Sequence, residues 1–418
     1  MLPRLLMLEA FFLPLNLNVA TVVLCFCGAA WVADIIKQRN FCIKRGFADP
    51  WIFIFTVIVG ISIFVAPDPT ASYYNFYHLF GRYLALYFLM VQGLSTERDA
   101  QRVLGAFLVA GFAVVIYGFW QFGHGVDTSS YAWSDPEQFP GLKTRVFSTL
   151  ENPNLLAGFL VVSIALAVGL VTGVKPGGIE QWAYLLLIAA MIACLILTYS
   201  RGAWLSLSSV AVAFGFLYRR RVLWLFIALL VIFTFFAQDI LAERILSIMN
   251  PTDSSAALRM ALWESTIFMI GERPWLGFGW ASYYTVYPDY DFFIQGGAAK
   301  IFHAHNMYLH FAAEIGVPGL ISFLMIWLLA GRLLLKLLEL STGRKLTGMV
   351  LGILAALVSL LVSGLTDHIL FNIQLSMIFW MLMALTAALG FSAGFIHPRY
   401  WINLKWERSR ILAIRGED

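Results

Sequence analysis

The chain has 418 residues, 60% of them hydrophobic and only 12% charged, with a net charge of +4 and a mean hydropathy of +0.79. A soluble domain carries roughly 45–50% apolar and about 25% charged residues, so the polar surface is too small to cover a water-soluble particle. Disordered, collagen-like and disulfide-stapled chains are excluded as well. The basic residues are scattered among apolar runs and form no nucleic-acid footprint.

The apolar runs are ~16–21 residues long and do not alternate in ten-residue strands, which predicts an all-α integral membrane protein. In chain order, twelve candidate spans lie at about 1–18, 19–36, 51–66, 76–94, 103–122, 154–173, 182–199, 203–218, 222–238, 317–337, 346–365 and 369–390. Pro14 and Asn16 to Asn18 interrupt the first region, which leaves either one kinked span or two. No cleavable signal peptide is expected, because no small-residue cleavage site leads into a polar mature sequence. Cys25, Cys27 and Cys194 sit in apolar runs and Cys42 in a basic loop. They read as small apolar residues and not as a zinc set.

Twelve spans with both ends cytoplasmic satisfy the positive-inside rule. Of 28 Lys and Arg, eight then fall outside: Arg82, Lys143, Arg145, Arg201, Arg244, Arg259, Arg273 and Lys300. The other twenty lie inside, with clusters at Lys37 to Arg45 and Arg219 to Arg221. The chain thus reads as a single polytopic domain, 1–418, with an outer loop at 123–153 and a large periplasmic loop at 239–316. In the large loop, residues 257–271 set Leu258, Leu262, Ile267 and Ile270 among polar residues, a short amphipathic helix on the outer face. Ser254 or Ser255 is its expected cap, and Gly271, Pro274, Gly277 and Gly279 its breakers. No internal repeat of 20–50 residues is evident.

The outer basic residues are the informative set, since short outer loops disfavour them. Arg201, in Thr198-Tyr199-Ser200-Arg201-Gly202, lies between two spans with almost no loop and must sit at the outer boundary. It either snorkels to lipid phosphates or holds a phosphate oxygen pair in a cavity. Arg259 sits near the start of the amphipathic helix, where backbone N–H groups also favour an anion. Arg145 precedes a polar stretch from Phe147 to Asn154. His78 and Arg82 fall one helical turn apart near an outer end, and an arginine at that depth normally faces a cavity or a partner. Three histidines crowd into eight residues, His303, His305 and His310. A histidine beside arginines that bind a diphosphate suits a general base; His310 reads as interfacial. Asp289-Tyr290-Asp291, with His303 and His305, is the only metal pattern, and it is a weak one.

The segments Thr198 to Gly202, Leu258 to Trp263, Pro274-Trp275-Leu276-Gly277-Phe278-Gly279, His305-Asn306-Met307-Tyr308-Leu309 and Glu314-Ile315-Gly316-Val317-Pro318-Gly319 resemble the O-antigen ligase and polymerase family of bacterial membrane glycosyltransferases. The Asn152-Pro153-Asn154 stretch is similar too. The resemblance covers about 145–320 closely. It implies the helical membrane architecture of a lipid-linked (GT-C-like) glycosyltransferase in the bacterial inner membrane, with the active site facing the periplasm. It implies transfer of a glycan from undecaprenyl diphosphate to lipid A–core in lipopolysaccharide assembly, or to a second lipid-linked repeat in a polymerase. It maps the family's arginines onto Arg201 and Arg259 and its histidine onto His305, and implies no metal, nucleotide or other cofactor. Arg145, Arg82, His303, Asn306, Tyr199 and Asn154 are the expected substrate-binding residues. A transporter of lipid-linked sugars fits less well, because polar chemistry gathers at one face and several spans carry no charge. A scaffold leaves the outer arginines unexplained.

Overall fold

The computed structural model describes residues 1–128, 131, 144–236, 254–292, 301–341, 343–396 and 400–405. Lys143, Arg244 and Lys300 therefore lie outside the described residues, as do parts of both expected outer loops, and the side chains of Ser254 and Ser255 are not among those described.

The helices run as α1 Leu2–Phe12, α2 Leu17–Gln38, α3 Asp49–Ser62, α4 Pro69–Asn75, α5 Gly81–Gly93, α6 Glu97–Gly123, α7 Pro153–Gly173, α8 Ile179–Ile196, α9 Arg201–Leu217, α10 Arg220–Phe236, α11 Ser254–Glu272, α12 Tyr283–Val286, α13 Met307–Leu340, α14 Arg344–Ser363 and α15 Ile373–Ser392. A two-stranded ribbon joins β1 Asn40–Lys44 to β2 Tyr400–Lys405. Among the described residues seven helices, α2, α6, α7, α8, α13, α14 and α15, are long and apolar enough to cross a membrane, and Asp49–Val65 and Arg201–Leu217 are apolar but shorter. The chain is a helical, multi-pass membrane protein.

The first apolar region is two helices. The Asn16 carboxamide accepts the N–H groups of Asn18 and Val19 and caps α2, so the helix must restart there. The eleven residues of α1 are too few to cross alone. The span expected at 76–94 is also divided, into a π-helical turn at Phe76–Phe80 and the thirteen-residue α5. The ribbon was not foreseen. It closes the end of the bundle that carries Arg45, whose guanidinium stacks on Trp401 at 4.7 Å, and Asp49, which accepts the Trp401 indole N–H at 3.1 Å. Inside the bundle α7 packs against α14 at backbone distance, because Gly169 meets Gly348 and Gly352 with no side chain between.

At the opposite end residues 254–292 and 301–316 fold back on the bundle. Helix α11 buries Leu262, Ser265, Thr266 and Met269 against Phe278, Tyr283 and Tyr287. The expected apolar face is only partly right: Leu262 is buried, but Leu258 and Ile267 are 40% and 57% exposed. The buried stripe is set by the Thr266–Tyr283 hydroxyl pair at 2.8 Å, which turns Ile267 and Phe268 outward.

The span expected at 317–337 begins earlier than its apolar run. Helix α13 starts at Met307 and breaks at Gly316, where φ is +73° and ψ 171°, just before Pro318. The break is a joint with the 274–282 loop. Val317 N–H donates to Pro274 O at 2.8 Å, Phe278 N–H to Ala313 O at 2.9 Å and Gly279 N–H to Glu314 O at 2.8 Å. A Cβ on Gly316 would meet Trp275 O at 2.2 Å, and one on Gly277 would meet Glu314 O at 2.5 Å. Both glycines have positive φ, so the two glycine–proline motifs are two halves of one backbone contact.

Gly316→Ala should therefore lower the thermal unfolding midpoint of the detergent-purified protein by an amount equivalent to ~1–3 kcal/mol or more. Gly331→Ala, in the same helix with nothing within 4 Å of the added methyl, should leave the midpoint unchanged or raise it. Equal midpoints for the two variants would contradict this account of the joint.

Candidate functional site

The joint places the start of α13 beside the turn between α14 and α15. Asn306 caps α13 through its side-chain oxygen, which accepts from Tyr308 and Leu309 N–H, and its Nδ2 donates to Leu365 O at 3.2 Å. Met307 N–H donates to Gly364 O at 2.8 Å and the Tyr308 hydroxyl to Leu361 O at 2.7 Å. These bonds hold His305 over Asp367.

His305 Nδ1 lies 3.0 Å from Asp367 Oδ1. An ionised carboxylate there accepts a hydrogen bond from Nδ1–H, which keeps the ring's proton on Nδ1 and leaves Nε2 as the acceptor nitrogen. The His305 side chain is 32% exposed and that of Asp367 14%, so the ring reaches solvent while its partner does not. Asp367 Oδ1 also accepts the His368 N–H at 2.8 Å. Burial opposes charge on Asp367, but the bond from His305 and the fields of His305, His303 and Arg259 hold its carboxyl well below the usual carboxylate range. Its negative charge is thus fixed across physiological pH.

Four side chains frame this pair. His303 Nδ1 accepts the His305 N–H at 3.3 Å, and burial, followed by the field of His305, pushes His303 down to about 3. It is a neutral support at neutral pH. Arg259 lies close enough that its charge acts on both His303 and Asp367. One turn along α11, the Trp263 indole N–H donates to His305 O at 3.4 Å, which ties the helix bearing Arg259 to the backbone of the histidine. The first residue of α9 is Arg201, which is half-buried. Its neighbour Gly202 stands against the Thr366 hydroxyl, 3.2 Å from where a Cβ would be. Arg201 and the N-terminus of α9 thus abut the turn that carries Asp367.

The remaining expected residues divide into two groups. Arg145 is buried at 7% exposure and donates from Nε to Thr198 O at 3.0 Å and from Nη2 to Asn154 Oδ1 at 3.3 Å. It thereby braces the corner before α9 against the start of α7. Tyr199 sits in that corner with φ +52°. Arg82 donates to the His78 ring at 2.9 Å, and His78 stacks on Tyr74 at 4.9 Å. The adjacent Leu79, Phe80 and Tyr83 line a cavity shared with His310 and His368.

Several site residues escaped the sequence reading. Asp367 and His368 stand in a three-residue turn between two uncharged spans; that isolated Asp-His pair was the available signal. His310 is not interfacial. It is 6% exposed, its Nε2 is 3.5 Å from Glu314 Oε2, and its ring is 4.3 Å from that of His368, because the Gly316 joint folds the start of α13 under the loop. The two histidines of the weak metal pattern meet a different carboxylate: one ligand atom each from His303, His305 and Asp367 lies within 4.8 Å of the others. Asp289 and Asp291 are not part of it, and Asp291 accepts the Tyr287 hydroxyl at 3.1 Å.

No curated protein matches the chain. Residues 186–324 match the family model described as O-Antigen ligase. The matched stretch contains Arg201, Arg259, Trp263, the Gly316 joint and the three clustered histidines, and ends before Asp367. Through that region this multi-pass membrane protein is similar to the O-antigen ligase family.

Proposed function

We propose that the protein is an O-antigen ligase. In this reading it sits in the bacterial inner membrane with about twelve spans and transfers a glycan from undecaprenyl diphosphate to a sugar hydroxyl of lipid A–core on the periplasmic side. The observation that carries the reading is the His305–Asp367 pair at 3.0 Å beside Arg259 and Arg201.

The mechanism follows from those four side chains. Asp367 keeps the proton of His305 on Nδ1, so Nε2 is free to take the acceptor's hydroxyl proton. The oxygen attacks the anomeric carbon as the bond to the diphosphate oxygen breaks, and the electron pair leaves on the undecaprenyl diphosphate. Attack opposite the leaving group inverts the anomeric centre. Negative charge grows on the diphosphate during this step. Two guanidinium groups and the N-terminus of α9 stabilise it more in the transition state than in the ground state. The electrostatic work is thus done by fixed protein charges, and the reading needs no metal. Arg82 and His303 contact substrate, and Tyr199 shapes the corner that presents Arg201. Arg145, Asn154 and Asn306 hold the site together through the bonds described above. An apolar groove of about 350 Å³ between α7 and α10, lined by Ile164, Ile188, Ile192, Trp204, Phe214 and Phe226, takes the polyprenyl tail. Trp204 puts one edge of the groove three residues along α9 from Arg201.

The deciding experiment supplies purified lipid-linked glycan with either lipid A–core or a second lipid-linked glycan, in the presence of EDTA. Product on lipid A–core supports the ligase reading; product only on the second lipid-linked glycan makes the protein a polymerase. Activity lost to EDTA and restored by manganese would instead put a cation on His303, His305 and Asp367.

In the same assay His305→Ala should lose a factor on the order of 10²–10⁴ in turnover with donor binding retained. Asp367→Asn, which keeps the shape but not the charge, should lose a factor of the same order. Near-normal turnover in either variant would remove the base from the scheme.

Arg201→Lys and Arg259→Lys keep the charge and lose the bidentate fork. Each should weaken donor binding and lower turnover by about tenfold or more while the unfolding midpoint holds. Unchanged donor affinity in both would remove the diphosphate clamp.

A further inference from the structure

The turn between α14 and α15 brings three side chains that can ligate a metal to one point. His305 Nδ1 lies 3.0 Å from Asp367 Oδ1, and His303 Nδ1 lies 4.0 Å from the same oxygen. One ligand atom from each residue falls within 4.8 Å of the other two. A cation held tetrahedrally by bonds of about 2.0–2.1 Å needs its ligand atoms about 3.3–3.4 Å apart. Side-chain shifts of roughly an ångström or less therefore close the set.

The lone pairs already face inward. His303 Nδ1 accepts the His305 N–H at 3.3 Å, so the proton of the neutral His303 ring sits on Nε2 and Nδ1 carries the lone pair. That bond is long, and little is lost if Nδ1 turns to a metal. His303 is buried and stacks on Phe371 at 4.4 Å, which fixes one ligand. The His305 side chain is 32% exposed, which gives an ion a path from solvent and lets water fill the fourth position.

The donor set selects the ion. Two imidazoles and one carboxylate suit Zn²⁺ or a similar first-row cation, whereas Mg²⁺ and Ca²⁺ favour oxygen shells. Structural zinc normally has four protein ligands. Here there are three, and the charge of Arg259 acts on both His303 and Asp367 and opposes a cation. Both features make the ion exchangeable.

We propose that His303, His305 and Asp367 form a reversible Zn²⁺ site that switches off the base. Coordination through His305 Nδ1 moves the ring's single proton to Nε2, the nitrogen that has to accept the hydroxyl proton of the acceptor glycan. No proton or electron is gained or lost overall. The proposal rests on the transferase reading above and adds regulation of the same site.

The full-length protein, purified in detergent on a tag without histidine, is titrated with Co²⁺, whose visible d–d absorption reports its ligands. The unmodified protein should show an absorbing site that Zn²⁺ displaces and Mg²⁺ does not. His303→Phe, His305→Ala and Asp367→Asn should each weaken Co²⁺ binding about tenfold or more. No absorbing site in the unmodified protein, or unchanged affinity in all three variants, overturns the site. The second measurement is glycan transfer. Zn²⁺ should inhibit it, and EDTA should restore the full rate. In His303→Phe, half-inhibition of whatever transfer that variant retains should need about tenfold more Zn²⁺ or more. Transfer that Zn²⁺ leaves untouched, or that EDTA abolishes and Zn²⁺ restores, overturns the switch. Co²⁺ bound through these residues in a protein that transfers glycan to neither acceptor would sink the transferase reading and leave the metal site standing.

Discussion

The Glu314 carboxylate, held against two backbone N–H groups, is the contact on which the site depends. A helix that continued unbroken through residue 316 would carry Met307 to Ile315 away from the bundle. The left-handed turn at Gly316 instead folds those residues back, and the loop 274–282 must fill the corner. Glu314 secures that loop through Ala281 and Tyr283 N–H, while Ser62 and Ser72 pin the same loop to the bundle through the Trp280 backbone. Everything above the joint inherits its position from it: the small core under α11, the wall formed by Trp280, and the cap at Asn306 that starts α13. The site stands on a rigid base although its residues come from five separate segments, which is what catalysis by fixed dipoles requires.

The charges are arranged so that each polarises the next. Asp367 is a negative charge kept ionised by its neighbours, and it sits between a titratable ring and an arginine. Remove Arg259 and the carboxylate loses part of what holds its proton off; remove Asp367 and His305 loses the group that fixes its tautomer. Two of the residues involved also carry local strain. His305 has φ +47° and Tyr199 φ +52°, conformations that side-chain-bearing residues adopt at a cost of about 1–3 kcal/mol. The Trp263 bond to His305 O and the Arg145 bond to Thr198 O each brace the backbone at or next to one of these positions. The strain is therefore supported from outside the site, by side chains that do not themselves need to meet substrate.

Much of this was legible in the sequence because membrane proteins advertise their charges. With so few polar residues, Arg201, Arg259 and the histidine cluster stood out against the apolar runs, and the glycine–proline motifs marked real breaks. What the sequence did not reveal came from contacts that periodicity does not encode. Asp367 lies 62 residues from the histidine it orients and looks like an ordinary turn residue. His310 looks interfacial until the break at Gly316 is known to fold it inward. The β1–β2 ribbon pairs segments some 360 residues apart, too short and too polar to register as strands. The shortening of α1 and α5 reflects side-chain caps and a π turn, local bonds that a count of apolar residues passes over.

The placement of the joint also explains why the family motifs come in pairs. Pro274 to Gly279 and Glu314 to Gly319 are separated by a segment that includes the clustered histidines, yet a Cβ at Gly277 or Gly316 would collide with the other side of the contact. Neither motif has a reason to exist without its partner. A chemical motif such as His305 to Leu309 is different: its asparagine caps the helix and its histidine meets Asp367, so one short segment serves both folding and reaction. The two kinds of motif fail in different ways. A change at the joint displaces every group above it together, whereas a change at His305 or Asp367 removes one function and leaves the frame intact.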